Sequence, residues 1–218
     1  TFIKHIDDVL SADYGSDLYI SHRCVQKDKN EELKIEKAVL GGFSMGGAVV
    51  IHYVTKYNSA HVSKLTLFGA AAPSWKKRDG ASYGISEADG NGLVTQTMTA
   101  RQDLIAGFGS AFPAKERNIS KNVEKWLENI NLQASPYAIT ESIKALLNLD
   151  LRPELSKIKI PTAIFHGTQD KLCPFEFATE LNAGIKNSRI IKFENSGHAL
   201  FVEEMEKFNT ELEKFAKS

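Results

Sequence analysis

Hydrophobic residues along this chain fall into two alternating patterns. Four short apolar runs, at residues 37–43, 64–70, 161–167 and 189–193, have the near-continuous apolarity of strands buried on both faces. The first run is followed by Ala48-Val49-Val50-Ile51-His52-Tyr53-Val54, a helix-length stretch apolar on most sides. Strand, helix and strand within about thirty residues predict a βαβ unit with a right-handed crossover.

Between residues 73 and 151 the strand pattern disappears. Glycine, serine and charge dominate as far as Gly92, and three helical patterns follow. One covers 93–112. A second opens at Ser120, with Val123, Trp126, Leu127 and Ile130 on one face. The third opens with Ser135-Pro136, an N-cap followed by proline at the first helical position, and should bury Ile139, Ile143, Leu146 and Leu147. The α/β pattern then resumes: a strand at 161–167, a helix over 174–184 closed by Gly184, and a strand at 189–193. In a final helix, Phe201, Met205, Phe208, Leu212 and Phe215 recur at helical spacing, which predicts core packing. The expected organisation is an α/β core formed by residues 1–72 and 152–218, with 73–151 inserted as a helical cap or lid.

Composition closes off several classes of function. The 218 residues carry 27 basic and 27 acidic side chains, a balance that argues against a dedicated nucleic-acid binder. No run approaches the roughly 18 apolar residues of a membrane span. Cys24 and Cys173 are too few for a disulfide scaffold and read as free thiols in a reducing compartment. With no signal-peptide pattern at the start, a cytoplasmic location is expected. No His/Cys/carboxylate cluster has metal-ligand spacing, and neither GxGxxG nor a P-loop occurs, so no metal or cofactor is expected.

The chemistry concentrates at three places. Gly42-Phe43-Ser44-Met45-Gly46 fits G-x-S-x-G between a predicted strand and a predicted helix. Glycines two residues either side let the chain turn sharply and lift the Ser44 hydroxyl clear of the sheet, at a helix N-terminus. There the Met45 N–H and the helix dipole face any developing negative charge. A serine hydroxyl needs a base, and the base an orienting acid. Asp170 ends His166-Gly167-Thr168-Gln169-Asp170 after one strand; His198 lies in Asn195-Ser196-Gly197-His198-Ala199 after the next. In an open parallel sheet the carboxyl ends of the strands face one crevice, so Ser44, Asp170 and His198 should converge. Of the other histidines, His166 reads as packed structure, and His5, His22, His52 and His61 carry no motif. The stretch after the second strand, Gly69-Ala70-Ala71-Ala72, offers no rival acid, and Glu194 ranks far behind Asp170.

The segments GGFSMGG, HGTQDKLCP and ENSGHALFVEE, in that order, resemble the α/β-hydrolase superfamily, and most closely cofactor-free bacterial esterases of the haloperoxidase/perhydrolase type. The resemblance runs from about Leu33 to the end of the chain. It implies a mostly parallel sheet flanked by helices, with Ser44 as nucleophile, His198 as base, Asp170 as its partner and Met45 as one oxyanion donor. Serine, where haloalkane dehalogenases and epoxide hydrolases carry aspartate, implies acyl transfer. The expected activity is hydrolysis of a small carboxylic ester or similar acyl compound. Perhydrolase/haloperoxidase-type chemistry, C–C or lactone cleavage, and a catalytically impaired ligand-binding domain are the alternatives. Phe43, Met45, Trp75, Phe108, Phe112, Trp126 and Leu172 are candidate pocket residues, each also readable as ordinary core. The partner expected is a small molecule rather than nucleic acid or membrane, and a homo-oligomer is compatible with the sequence.

The front of the chain fits the family least well. Only 43 residues precede Ser44, and they offer one strand at most, at 9–14, followed by Gly15-Ser16-Asp17. The family's first strands, first helix and oxyanion loop have no counterpart here. A missing strand beside the 37–43 strand would leave unpaired backbone in a buried sheet. Either the 9–14 strand pairs directly with the 37–43 strand or, the outcome expected here, extra or neighbouring-chain backbone fills the slot. An intact mass near 24.1 kDa for one well-folded domain would count against that expectation.

Overall fold

The computed structural model describes residues 37–81, 83–114 and 119–218. The strand expected at 9–14, and with it the slot beside the 37–43 strand, lies outside them.

Four parallel strands form one sheet in the order β1 (Ala38–Phe43), β2 (Val62–Phe68), β3 (Thr162–Gly167), β4 (Ser188–Phe193). The register places Gly42 opposite Leu67, Leu67 opposite Ile164 and Ile164 opposite Ile190. All six residues of β3 are buried, as a strand paired on both edges and covered on both faces requires. Alternation along the strands sorts side chains into two cores. Leu65, Leu67 and Ile164 face helix α1 (Met45–Lys56), which contributes Val50, Ile51 and Val54. Helix α6 (Glu176–Gly184) joins this core through Phe177, Ala178 and Leu181. On the opposite face, Ala163, Phe165 and Phe193 pack with Leu200 and Phe215, and with the partly buried Phe43, Phe68, Phe208 and Leu212.

The predicted strands match within two residues at each end; the helices differ more. The expected 93–112 helix is two helices, α2 (Glu87–Thr99) and α3 (Arg101–Ala111). Helix α2 starts six residues early because Ser86 Oγ accepts the Asp89 N–H, capping a turn that the glycine-rich composition had concealed. The break falls at Ala100, with φ −150° and ψ 51°. Beyond it, the Arg101 guanidinium donates to the carbonyls of Leu132 and Ala134, both at 2.8 Å, closing the end of α4 (Lys121–Gln133). Ser120 and Ser135 cap α4 and α5 (Pro136–Asn148) as expected. Helix α4 buries none of its residues, whereas α5 buries Ile143, Leu146 and Leu147. Helices α2 and α5 are pinned by a buried hydroxyl pair, Thr97 to Thr140 at 2.6 Å.

The C-terminal stripe is likewise interrupted. The chain forms a short α7 (Leu200–Glu203) and then α8 (Met205–Lys217), bent at Glu204. That bend leaves Met205 58% exposed, so it is not the core residue its spacing predicted. No helix among the described residues is long and apolar enough to cross a membrane.

Ile164 is fully buried at the centre of β3. Truncation to alanine is expected to cost about 2–5 kcal/mol. Urea unfolding followed by circular dichroism measures it, and a loss below about 1 kcal/mol would contradict this placement of the core.

Candidate active site

Because the sheet is parallel, β1, β3 and β4 all end at the same edge, and the three candidate residues follow those ends. Ser44 comes directly after β1 and caps α1, with φ 52° and ψ −120°. For a non-glycine residue this is strained backbone, costing of order 1–3 kcal/mol. Neighbouring backbone holds it there: the Ser44 N–H donates to Phe68 O, and Ser44 O accepts from Ala71 N, both at 2.9 Å. Gly42 makes the turn sterically possible, since a Cβ there would stand 2.4 Å from Gly46 O. Met45, the first residue of α1, is half-buried against the α1 core.

Asp170 is buried, and both of its oxygens have partners. Its Oδ1 accepts the N–H groups of Leu172 (2.9 Å) and Cys173 (2.8 Å), and its Oδ2 lies 2.7 Å from His198 Nδ1. A carboxylate can only accept, so Nδ1 of His198 carries a proton, and in the neutral ring Nε2 presents the lone pair. The His198 ring is buried between Phe43, at 4.7 Å between centroids, and Phe112, at 5.4 Å. Phe43 directly precedes Ser44, so the strained turn and the Asp170–His198 pair share one end of the sheet.

His166 is fully buried. Its Nε2 lies 2.6 Å from Cys173 O, an acceptor, so Nε2 carries the proton; the same nitrogen is 3.6 Å from Asp170 Oδ2. Its Nδ1 has no hydrogen-bond partner among the described residues. Burial, above all, lowers the His166 pKa and keeps the ring neutral. Glu194 is exposed and pairs with Lys207 at 2.7 Å, away from His198. Trp75 is buried, with its indole N–H on Leu172 O at 3.2 Å. Phe108 and Leu172 are half-buried, and Trp126 is 60% exposed.

Two carboxylates that the sequence reading passed over hold the His198 turn. Glu204 Oε2 accepts from Ser196 Oγ (2.6 Å) and Asn195 N (3.1 Å); Glu203 accepts from Gly197 N (2.8 Å) and Ala114 N (2.7 Å). Burial raises the Glu203 pKa, against the pull of those two N–H groups. Their only trace in the sequence is the pair of glutamates closing ENSGHALFVEE.

A family model described as the alpha/beta hydrolase fold matches residues 22–205. The chain belongs to this family. It is 42% identical over 186 residues to the AB hydrolase superfamily protein YisY of Bacillus subtilis, covering 85% of this chain and 69% of that one. It is 28% identical over 193 residues to the bifunctional esterase/perhydrolase DCH of Acinetobacter calcoaceticus, covering 86% and 70%. Among solved structures, the esterase EaEST of Exiguobacterium antarcticum superposes with a TM-score of 0.83 at 40% identity, covering 87% of this α/β-hydrolase chain and 70% of that one.

The neutral His166 has a consequence for stability. Its pKa is lower folded than unfolded, so below the ordinary imidazole value of about 6.5 the unfolded chain binds more protons. Stability therefore falls as pH drops from about 6.5, by at most about 1.4 kcal/mol per pH unit from this residue. His166→Gln, which keeps an N–H donor for Cys173 O, should lose less stability between pH 7.5 and 5.5 than the wild type, as read from urea midpoints. Equal losses would show that His166 does not remain neutral.

Proposed function

We propose that this α/β-hydrolase cleaves small carboxylic esters through a covalent acyl-enzyme, with Ser44, His198 and Asp170 acting together. The observation that carries the reading is the 2.7 Å His198–Asp170 hydrogen bond, placed at the sheet edge where Ser44 is held in a strained turn. Asp170, with Oδ1 saturated by two N–H groups, fixes the His198 tautomer and supports the imidazolium that forms. His198 Nε2 takes the Ser44 proton as Oγ attacks the ester carbonyl carbon. The carbonyl oxygen becomes an oxyanion, met by the Met45 N–H and the N-terminus of α1. His198 then passes the proton to the leaving alkoxide, and water, deprotonated in turn by His198, releases the acid and restores Ser44. Phe43 and Phe112 flank His198 and shield the imidazole from bulk water.

The helical block at 73–151 serves in this reading as the cap over the acyl pocket. Phe43, Phe108 and Leu172 are its candidate lining; Trp75 supports it by bonding Leu172, and Trp126 stands at its outer rim. Perhydrolysis, in which hydrogen peroxide replaces water as acceptor, is the second reading, favoured by the likeness to the Acinetobacter esterase/perhydrolase.

A fluorophosphonate probe should label Ser44, and Ser44→Ala should abolish labelling and p-nitrophenyl acetate turnover. Asp170→Asn should lower kcat by about 10³–10⁴-fold while leaving the protein folded. Failure of well-folded wild type to react with the probe, or to turn over a panel of short and long p-nitrophenyl esters, would overturn the hydrolase reading. Running the panel with and without peroxide separates hydrolysis from perhydrolysis.

A further inference from the structure

The turn that carries His198 is gripped by a segment remote in sequence. His198 N donates to Phe112 O at 2.8 Å, and Ala199 N to the same oxygen at 3.1 Å. One residue earlier, Gly197 packs so closely on this segment that a Cβ would stand 2.6 Å from Pro113 C and 2.7 Å from Ala114 N. Glu203 then spans the two strands of backbone, with Oε2 on Gly197 N and Oε1 on Ala114 N. One carboxylate thus ties the end of the helical block's first half to the residue beside His198. The tie needs both oxygens as acceptors, which a carboxylate supplies and an amide does not.

We infer that Glu203 is a positioning residue, which clamps the 112–114 segment to the His198 turn and so fixes the imidazole against Asp170. The inference rests on His198 being the base. Glu203 is half-buried and touches neither Asp170 nor His198 by hydrogen bond; it acts only through the backbone. Loss of one acceptor leaves an N–H without its partner and lets the turn drift. Misplacement on the order of 1 Å costs about 100-fold in rate without any change in the reacting groups.

Glu203→Gln replaces one acceptor by an N–H₂ donor, and Gly197→Ala wedges the two segments apart at the same place. Both variants, folded by circular dichroism, are expected to lower kcat for p-nitrophenyl acetate about 10- to 100-fold, with KM within about twofold. The strongly deshielded proton resonance of the His198–Asp170 hydrogen bond should broaden or vanish in both. Leu212→Ala, a truncation in the α8 core, provides a destabilised control that keeps kcat and the resonance. Unchanged kcat and resonance in Glu203→Gln would overturn the inference, as would an equal loss in Leu212→Ala. Should Glu203→Gln not fold, Glu203→Asp, which keeps both acceptor oxygens but shortens their reach, takes its place, and unchanged kcat and resonance in that variant would overturn the inference. A folded wild type that neither hydrolyses esters nor reacts with fluorophosphonate would sink the hydrolase reading. The resonance would still judge the clamp.

Discussion

A carboxyl group placed in the interior of a protein is costly unless its lone pairs are met. The end of β3 is organised around that requirement. Asp170 is buried, and leaving its oxygens without donors would remove a large part of one domain's margin of stability. The turn from Asp170 to Cys173 folds back so that two N–H groups reach Oδ1, while the His198 ring comes across from the end of β4 to reach Oδ2. His166 closes the same turn from beneath through Cys173 O. The acid is therefore as much a device for shaping the backbone as a partner for the imidazole.

Strain at Ser44 is met in a comparable way, by backbone rather than side chains. Hydrogen bonds to Phe68 and from Ala71 tie the turn to the end of β2, so the strained residue sits between two parallel strands instead of on a free loop. The aromatic cluster on the far face, with Phe43, Phe112 and Phe201 packed edge to face, carries this rigidity across to His198. For the proposed acyl transfer, an arrangement of this kind would need little reorganisation as charge develops, the condition under which fixed dipoles are most effective.

How much of this was legible in the sequence depends on how local each signal is. Strands β1 to β4 were readable because strands buried on both faces need uninterrupted apolar residues. The turn at Ser44 was readable because a sharp turn demands glycines at fixed offsets. Ser120 and Ser135 announced their helices as N-caps, whereas Ser86 did not, because glycines in α2 masked its helical character. The break at Ala100 and the bend at Glu204 were invisible, since each serves a contact with a distant segment: Arg101 with the end of α4, Glu204 with the turn after β4. Asp170 and His198 could be nominated because each follows the end of a predicted strand, but the His198 tautomer and the N–H groups on Asp170 are set by geometry. Glu203 stood in the sequence only as one of the two glutamates closing ENSGHALFVEE, because an acid that binds only backbone N–H groups leaves no pairing pattern with other side chains.

The route taken by the chain between β2 and β3 bears on how such a protein can diversify. The chain leaves β2 at Phe68 and re-enters the sheet beside it at Thr162, next to Leu65 in register. Both ends of the excursion are fixed by adjoining strands, so doubling its length adds only about 0.6 kcal/mol of closure entropy. Lineages can therefore lengthen, shorten or exchange these helices with little harm to the sheet. The contact between Gly197 and residues 112–114 limits that freedom, because a transplanted block must bring backbone to the same spot. Divergence should run fastest in the outward-facing helix α4 and slowest in the few residues that end α3. Recombination breakpoints that succeed would then fall after Ala114 rather than at the borders of the whole helical block.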